Sequence, residues 1–287
     1  MRGFRGLLAI AGLLFLAASS EPSSDLTTFP PAAAPSVGDA WVEDAAWRMT
    51  GYTKVHLGPA KVRDKSTDDG VSWSASVQVT ALDDDRVSGL EVTFARARRI
   101  AGDEEFDLGL DGLSVVGRGT DKRKWKNSGR RGLKKKARDF LAERFSSRGE
   151  RGDLLGILLP EGGVAVGDSW DVDMERVVDE LGRDRFSLDR ESSRARASLV
   201  ALVERRGVAF GRISFDVVVV PSTIKDAEFR EARLQATGIV ELPLEAGRPD
   251  RVLKVDLHTR YDGWIKRKGI KATNDFDHTT VGREERR

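Results

Sequence analysis

The sequence predicts a mainly β fold: two antiparallel β units forming curved sheets or half-barrels, with one amphipathic helix between them. Three observations carry that expectation. Apolar and polar residues alternate with period two in several stretches bounded by turn residues, the pattern of strands with one buried and one wet face. Only one segment carries a pronounced helical period. A five-residue string, Val37-Gly38-Asp39-Ala40-Trp41, returns as Val166-Gly167-Asp168-Ser169-Trp170, each copy heading a run of alternating segments.

The chain of 287 residues suits one large domain or two smaller ones. Arg2 and Arg5 precede the apolar run Leu7 to Ala18, and Ala18-Ser19-Ser20 supplies small residues for cleavage. This is the layout of a secretory signal, and the run falls short of the ~20 residues an ordinary membrane helix needs. The expected division is therefore a signal peptide at 1–20, a flexible linker at 21–36, a first β unit at 37–130, the amphipathic helix at 131–148 and a second β unit at 149–287. Retention of the signal as an anchor stays open. The linker reading rests on its Pro, Ser, Ala and Thr content.

In the first unit Val71, Trp73, Ala75, Val77 and Val79 alternate with Ser72, Ser74, Ser76, Gln78 and Thr80. Leu90, Val92 and Phe94 repeat the pattern after Asp83-Asp84-Asp85, and Phe106, Leu108 and Leu110 predict a further short strand. Leu133, Ala137, Phe140, Leu141 and Phe145 lie on one face of a helix, which Ser146 to Gly152 ends. A second, weaker helix is expected around Met174 to Leu181. The second unit alternates over Ile213 to Val219, Leu234 to Leu242 and Leu253 to Tyr261, with turns at Arg205-Arg206-Gly207 and Gly247-Arg248-Pro249-Asp250. Connections this short require antiparallel pairing.

Composition narrows the function classes. Hydrophobic residues are 39% and charged residues 33%, which excludes a collagen-like or broadly disordered chain. There is no cysteine, so packing without disulfides must hold the fold, and a lipid anchor through cysteine is ruled out. Removal of Arg2 and Arg5 with the signal would leave 46 basic residues against 46 acidic ones, a neutral mature protein.

The passage Leu158 to Val172, with Leu159-Pro160 followed by Val166-Gly167-Asp168-Ser169-Trp170, resembles a group of exported bacterial β-rich proteins in which such a segment follows a helix and leads into antiparallel strands with turns like Leu244 to Arg251. That resemblance implies no activity. In overall pattern the chain is also similar to the half-barrel lipoprotein carriers of the bacterial envelope, a likeness of fold alone.

Gly167-Asp168-Ser169 also resembles the nucleophile string of one hydrolase family, whose Asp-x-x-His spacing is met by Asp275 and His278. The resemblance implies Ser169 as nucleophile, His278 as base and Asp275 as its orienter. Against it, the flanking sequence alternates as antiparallel strands, no Gly-x-Asn-Asp block supplies oxyanion donors, and the first copy has Ala40 in place of Ser169. Gly-Asp and Trp are what the copies share, a tight turn and a buried anchor. His56, His258 and His278 are scattered, while Asp275, Asp277 and His278, like Asp83 to Asp85, match no ion-binding loop and read as solvated turns. No metal and no cofactor are expected.

Between Lys122 and Arg138 stand ten basic residues and no acid: Lys122, Arg123, Lys124, Lys126, Arg130, Arg131, Lys134, Lys135, Lys136 and Arg138, with Trp125 among them. These eleven positions are the candidate binding residues, for anionic headgroups of an envelope lipid or other amphiphile, although solvated loop and helix faces carry such charge too. Trp41, Trp47, Trp73, Trp125, Trp170 and Trp264 are expected mainly in the core. The resulting expectation is an exported, non-catalytic protein of the periplasm or the exterior, holding an apolar or amphiphilic ligand in a sheet concavity. Next comes a structural or protein-interaction module without a pocket, and third a Ser-His esterase. Lipid and protein partners are expected, nucleic acid is not, and no transmembrane segment follows the signal.

Overall fold

The computed structural model describes residues 26–30, 35–57, 60–83, 86–120, 123–129, 132–145, 154–181, 186–248, 250–267 and 270–287. The expected signal peptide, Asp84-Asp85 and the helix-ending run from Ser146 lie outside them. In chain order the elements are β1 (Ala40–Leu57), β2 (Ala60–Asp83), β3 (Arg86–Ala101), β4 (Glu104–Asp107), β5 (Ser114–Arg118), β6 (Lys124–Asn127), α1 (Lys135–Phe145), α2 (Leu154–Ile157), β7 (Ser169–Asp171), α3 (Met174–Leu181), β8 (Phe186–Leu188), β9 (Arg194–Arg205), β10 (Val208–Val219), β11 (Pro221–Ile224), β12 (Ala227–Pro243), β13 (Arg251–Arg267) and β14 (Ile270–Arg286).

The strands form one antiparallel sheet in the order β6-β5-β3-β2-β1-β14-β13-β12-β10-β9-β7, with β4, β8 and β11 off this path. The sheet is not closed. Its two units are halves of a single sheet, joined where the first strand, β1, pairs with the last, β14. No helix among the described residues is long and apolar enough to cross a membrane.

Register explains how the halves share one core-bearing face. Directly paired residues point to the same side of a sheet. Ala97, Trp73, Ala45, Glu284, Leu253, Val240, Ile213 and Leu199 form one row across eight strands. At one end of that row the α1 side chains Ala137, Phe140, Leu141 and Phe145 bury Trp73, Phe94 and the valines of β2. The rings meet edge to face, Trp73 with Phe140 at 5.5 Å and Phe94 with Phe145 at 5.8 Å. At the other end Leu155, Ile157, Leu158 and Val177 cover Leu199, Ile213, Phe215 and Val240.

The repeated string builds the same turn twice. Gly38 and Gly167 take φ of +100° and +99°, values that favour glycine. Asp39 accepts from the Ser36 backbone N–H at 2.7 Å and Asp168 from that of Ala165 at 2.8 Å. Gly38 donates to Val79 and Gly167 to Leu199, at 2.9 and 2.8 Å. Each turn thus pins the start of β1 or β7 to its neighbour β2 or β9.

The predicted strands fall within β2, β3, β10, β12 and β13, and the weak second helix is α3. Three expectations need correction. The short strand expected at Phe106 to Leu110 ends at Asp107; Leu108 and Leu110 are buried from a turn around Gly109, while Phe106 is exposed. Asp275 to His278, read as a solvated turn, lies in the middle of β14. Leu26 to Pro30, within the expected linker, docks on the second half: Thr27 and Val164 exchange backbone hydrogen bonds of 2.7 and 2.9 Å, and Phe29 lies over Gly211. Glycine 211 leaves room for that ring, which is what holds a Pro-flanked segment in place.

Candidate functional site

The long strands β12, β13, β14 and β1 run well past the residues that the helices cover. On their core-side face, rings form a strip across strands. Phe229 of β12 lies 6.4 Å from Tyr261 of β13; Tyr261 stacks on Phe276 of β14 at 5.4 Å, and Phe276 on His278 at 5.4 Å. His278 Nε2 shares a hydrogen bond of 3.0 Å with Thr53 Oγ1 of β1. Tyr261 is buried, whereas Phe229, Phe276, His278 and Thr53 are half-buried. Burial pushes the Tyr261 phenol up, with the nearby Asp262 charge adding to it, and its hydroxyl donates to the Trp264 carbonyl at 3.3 Å. The strip belongs to neither hydrophobic cluster.

Glycines let the sheet bend toward this face. A Cβ at Gly51 would fall 2.0 Å from the Asp277 carbonyl oxygen, one at Gly263 2.4 Å from that of Glu228, and one at Gly238 2.2 Å from that of Lys254. All three point to the core-bearing side, a placement consistent with a sheet curved toward that side. Each of these glycines also faces a ring directly across the ladder: His278, Phe229 and Phe215.

Below the strip, at the seam between the halves, two carboxylates are buried in the same face. Glu43 is fully buried; Trp73 Nε1 donates to it at 2.8 Å and Trp41 Nε1 at 3.3 Å, and Arg286 lies 3.4 Å away. Arg286 also meets Glu284 at 3.2 Å, which accepts from Arg251 at 2.7 Å. Each of the two acids is met by a guanidinium group, the pairing that buried charge requires. It ties β1, β14 and β13 together. Outside the sheet Arg260 bridges Asp275 and Glu231 while His258 meets Asp277 at 2.8 Å, bracing the same strands from the polar side.

The residues implied by the hydrolase resemblance are not brought together. Ser169 shares a hydrogen bond of 2.7 Å with Ser198 at the β7 edge, five strand steps from His278, roughly 24 Å at about 4.8 Å per step. Asp275 and His278 are three apart in one strand, so they point to opposite faces. No group of three or more His, Asp or Glu side chains able to hold a metal occurs among the described residues.

The basic stretch divides by role. Arg123 is buried and donates to the carbonyls of Phe145 and Val87, the second at 2.5 Å; it stitches α1 to β3. Trp125 packs on Phe145 at 6.0 Å and over Gly117. Lys124, Lys126, Lys134, Lys135, Lys136 and Arg138 are exposed, and Lys122, Arg130 and Arg131 lie outside the described residues. β6 is five strand steps from β14, so the stretch does not rim the aromatic strip. An open cleft of about 550 Å³ is lined by both apolar and polar residues, Trp41, Val42 and Val77 among the first and Gln78, Glu91 and Arg287 among the second.

Neither the strip nor the seam could be seen before the register was known, because Thr53, Phe229, Tyr261 and Phe276 are far apart in sequence. Comparison of the chain with protein-family models and with curated proteins gives no match.

Proposed function

We propose that this is an exported, non-catalytic protein that holds an apolar or amphiphilic molecule against the concave face of its sheet. The observation that carries the reading is the ring strip Phe229–Tyr261–Phe276–His278, half-buried except at the buried Tyr261, which continues the apolar face beyond both helix-covered cores. A ring ladder offers dispersion contact to an acyl chain or flat ring, and Thr53–His278 offers one polar partner at its end. Export rests on Arg2, Arg5 and the apolar run Leu7 to Ala18.

The test is native mass spectrometry of protein purified from an exporting host, followed by organic extraction. A stoichiometric apolar molecule is expected, released by Phe276→Ser. A clean apo mass that stays clean after incubation with envelope lipids overturns the reading.

A protein-interaction module is the second reading, and a specific feature favours it. No described strand pairs with the outer side of β9 beyond Leu199, and Val200 and Leu202 there are 43% and 48% exposed. A free strand edge with apolar side chains suits addition of an extended peptide. Under this reading the extract is empty and cross-linking through β9 captures one defined partner.

A further inference from the structure

We propose that the β6 edge of the sheet and the start of α1 form a docking surface for an anionic lipid bilayer, bound through charge alone. The proposal is independent of the concave-face reading, since the two regions are five strands apart.

Arg118, Lys124, Lys126, Lys134, Lys135 and Lys136 are all exposed, and among the described residues none is in an ion pair. Elsewhere the arginines are largely partnered, as in Arg48–Asp68, Arg98–Asp111, Arg230–Asp262 and Arg251–Glu284. The unpartnered cations also stand where local physics disfavours them. Arg118 is directly across the ladder from Lys124, a like-charge pair that weakens the hairpin. Lys134 to Lys136 crowd the start of α1, whose first turn has no acid, so they oppose the positive end of the helix dipole. Charges that cost stability at two separate places, without an internal partner, point to an external anion. Lysines also keep a sheet edge from pairing with other chains. That accounts for Lys124 and Lys126, but not for Arg118 or the helix start.

The geometry fits a surface rather than a strand of nucleic acid. β6 ends the sheet, with Lys124 and Lys126 on its polar face and α1 on its core face, so cations flank the edge on both sides. The one ring here, Trp125, is turned inward onto Phe145, which leaves no stacking platform for bases. No large apolar side chain of β5, β6 or α1 is exposed, so nothing inserts between lipids. The contact is therefore salt-sensitive and reversible.

The test is co-sedimentation with phosphatidylcholine vesicles with and without about 30% phosphatidylglycerol, at about 20 mM and about 500 mM salt. Binding is expected only to the anionic vesicles and only at low salt. With about fivefold lost per neutralised cation, the double variant Lys124→Gln, Lys126→Gln lowers binding by about 25-fold and the triple variant Lys134→Gln, Lys135→Gln, Lys136→Gln by about 125-fold. The triple variant relieves the helix dipole, so its Tm should not fall. A control neutralising the exposed Lys54, Lys225 and Lys254 should bind as the parent does. Absence of parent binding at low salt, equal loss in the control, binding that survives high salt, or tighter binding to a single-stranded oligonucleotide each overturns the proposal.

Discussion

Gly51→Ala probes the bend and the seam together. Gly51 has φ +141°, where an alanine is strained by about 1–3 kcal/mol. The new Cβ would stand 2.0 Å from the Asp277 carbonyl oxygen and 2.8 Å from the His278 Cα. Both are backbone atoms, so no side chain can swing aside; β1 and β14 must part locally. Losing two ladder hydrogen bonds adds about 1–3 kcal/mol. The expected cost is about 2–6 kcal/mol, a fall in Tm of roughly 10 °C at the middle of that range for a chain of this size. Gly102→Ala is the matched control: its φ is +59° and nothing lies within 4 Å of the new methyl, so about 1–2 kcal/mol is expected. Urea unfolding followed by tryptophan fluorescence measures both. If Gly51→Ala costs no more than Gly102→Ala, the strands do not close over Gly51 and the concavity argued from it is wrong.

Three further outcomes follow from the same geometry. Asp39→Ala and Asp168→Ala each remove one side-chain acceptor for a backbone N–H, so each should cost about 1 kcal/mol in urea unfolding; a large inequality would deny that the two turns are equivalent. Trp73→Phe strips a 2.8 Å donor from the fully buried Glu43, whereas Trp125 Nε1 has no acceptor among the described residues, so Trp73→Phe should cost at least about 1.5 kcal/mol more than Trp125→Phe. Acid should weaken the fold through carboxylates held low. Arg99 lowers Asp69 and Arg98 lowers Asp111 by hydrogen bonding, while for Glu241 burial raises the value but donation from Arg205 and Arg212 outweighs it. Their folded values lie below the ordinary 3.8 and 4.5. Their stabilisation is therefore complete above those values and lost as pH falls through the lower folded ones. Urea midpoints should drop below about pH 4.5, and Glu241→Gln should flatten the upper part of that drop.

What could be read in advance was what depends on local period. Val71 to Val79 gave both the strand and its buried face, because nothing interrupts the alternation there. In β3 the alternation predicts Phe94 correctly and then misleads: a bulge separates the Arg96 and Phe94 pairings, so Ala97 is buried although it stands three residues from Phe94. β1 and β14 were missed as long strands because their seam carries Glu43, Glu284 and Arg286 on the core side, polar residues that break the pattern in order to pair with one another. The aromatic strip was hidden for a different reason. Its rings become neighbours only through pairing among β12, β13 and β14, and nothing in a single sequence encodes that register. The basic stretch was visible, but its division into buried Arg123, packed Trp125 and exposed lysines depends on how α1 lies on the sheet.

The two copies of the string stand in different surroundings, and that difference can be tested. β1 has β14 along its outer side and runs for 18 residues; β7 has no described strand beyond it and runs for three. A short edge strand limits unwanted pairing. It also leaves β9 beyond Leu199, where Val200 and Leu202 are exposed, without a strand partner on that side among the described residues. If nothing in the chain packs on these two, Val200→Lys with Leu202→Lys should change stability by no more than about 0.5 kcal/mol per site. The same variant should reduce self-association measured by light scattering, because charge on an exposed edge opposes strand addition. A loss above about 2 kcal/mol would mean that this edge is packed in the free protein, and the interaction reading would lose its docking strand.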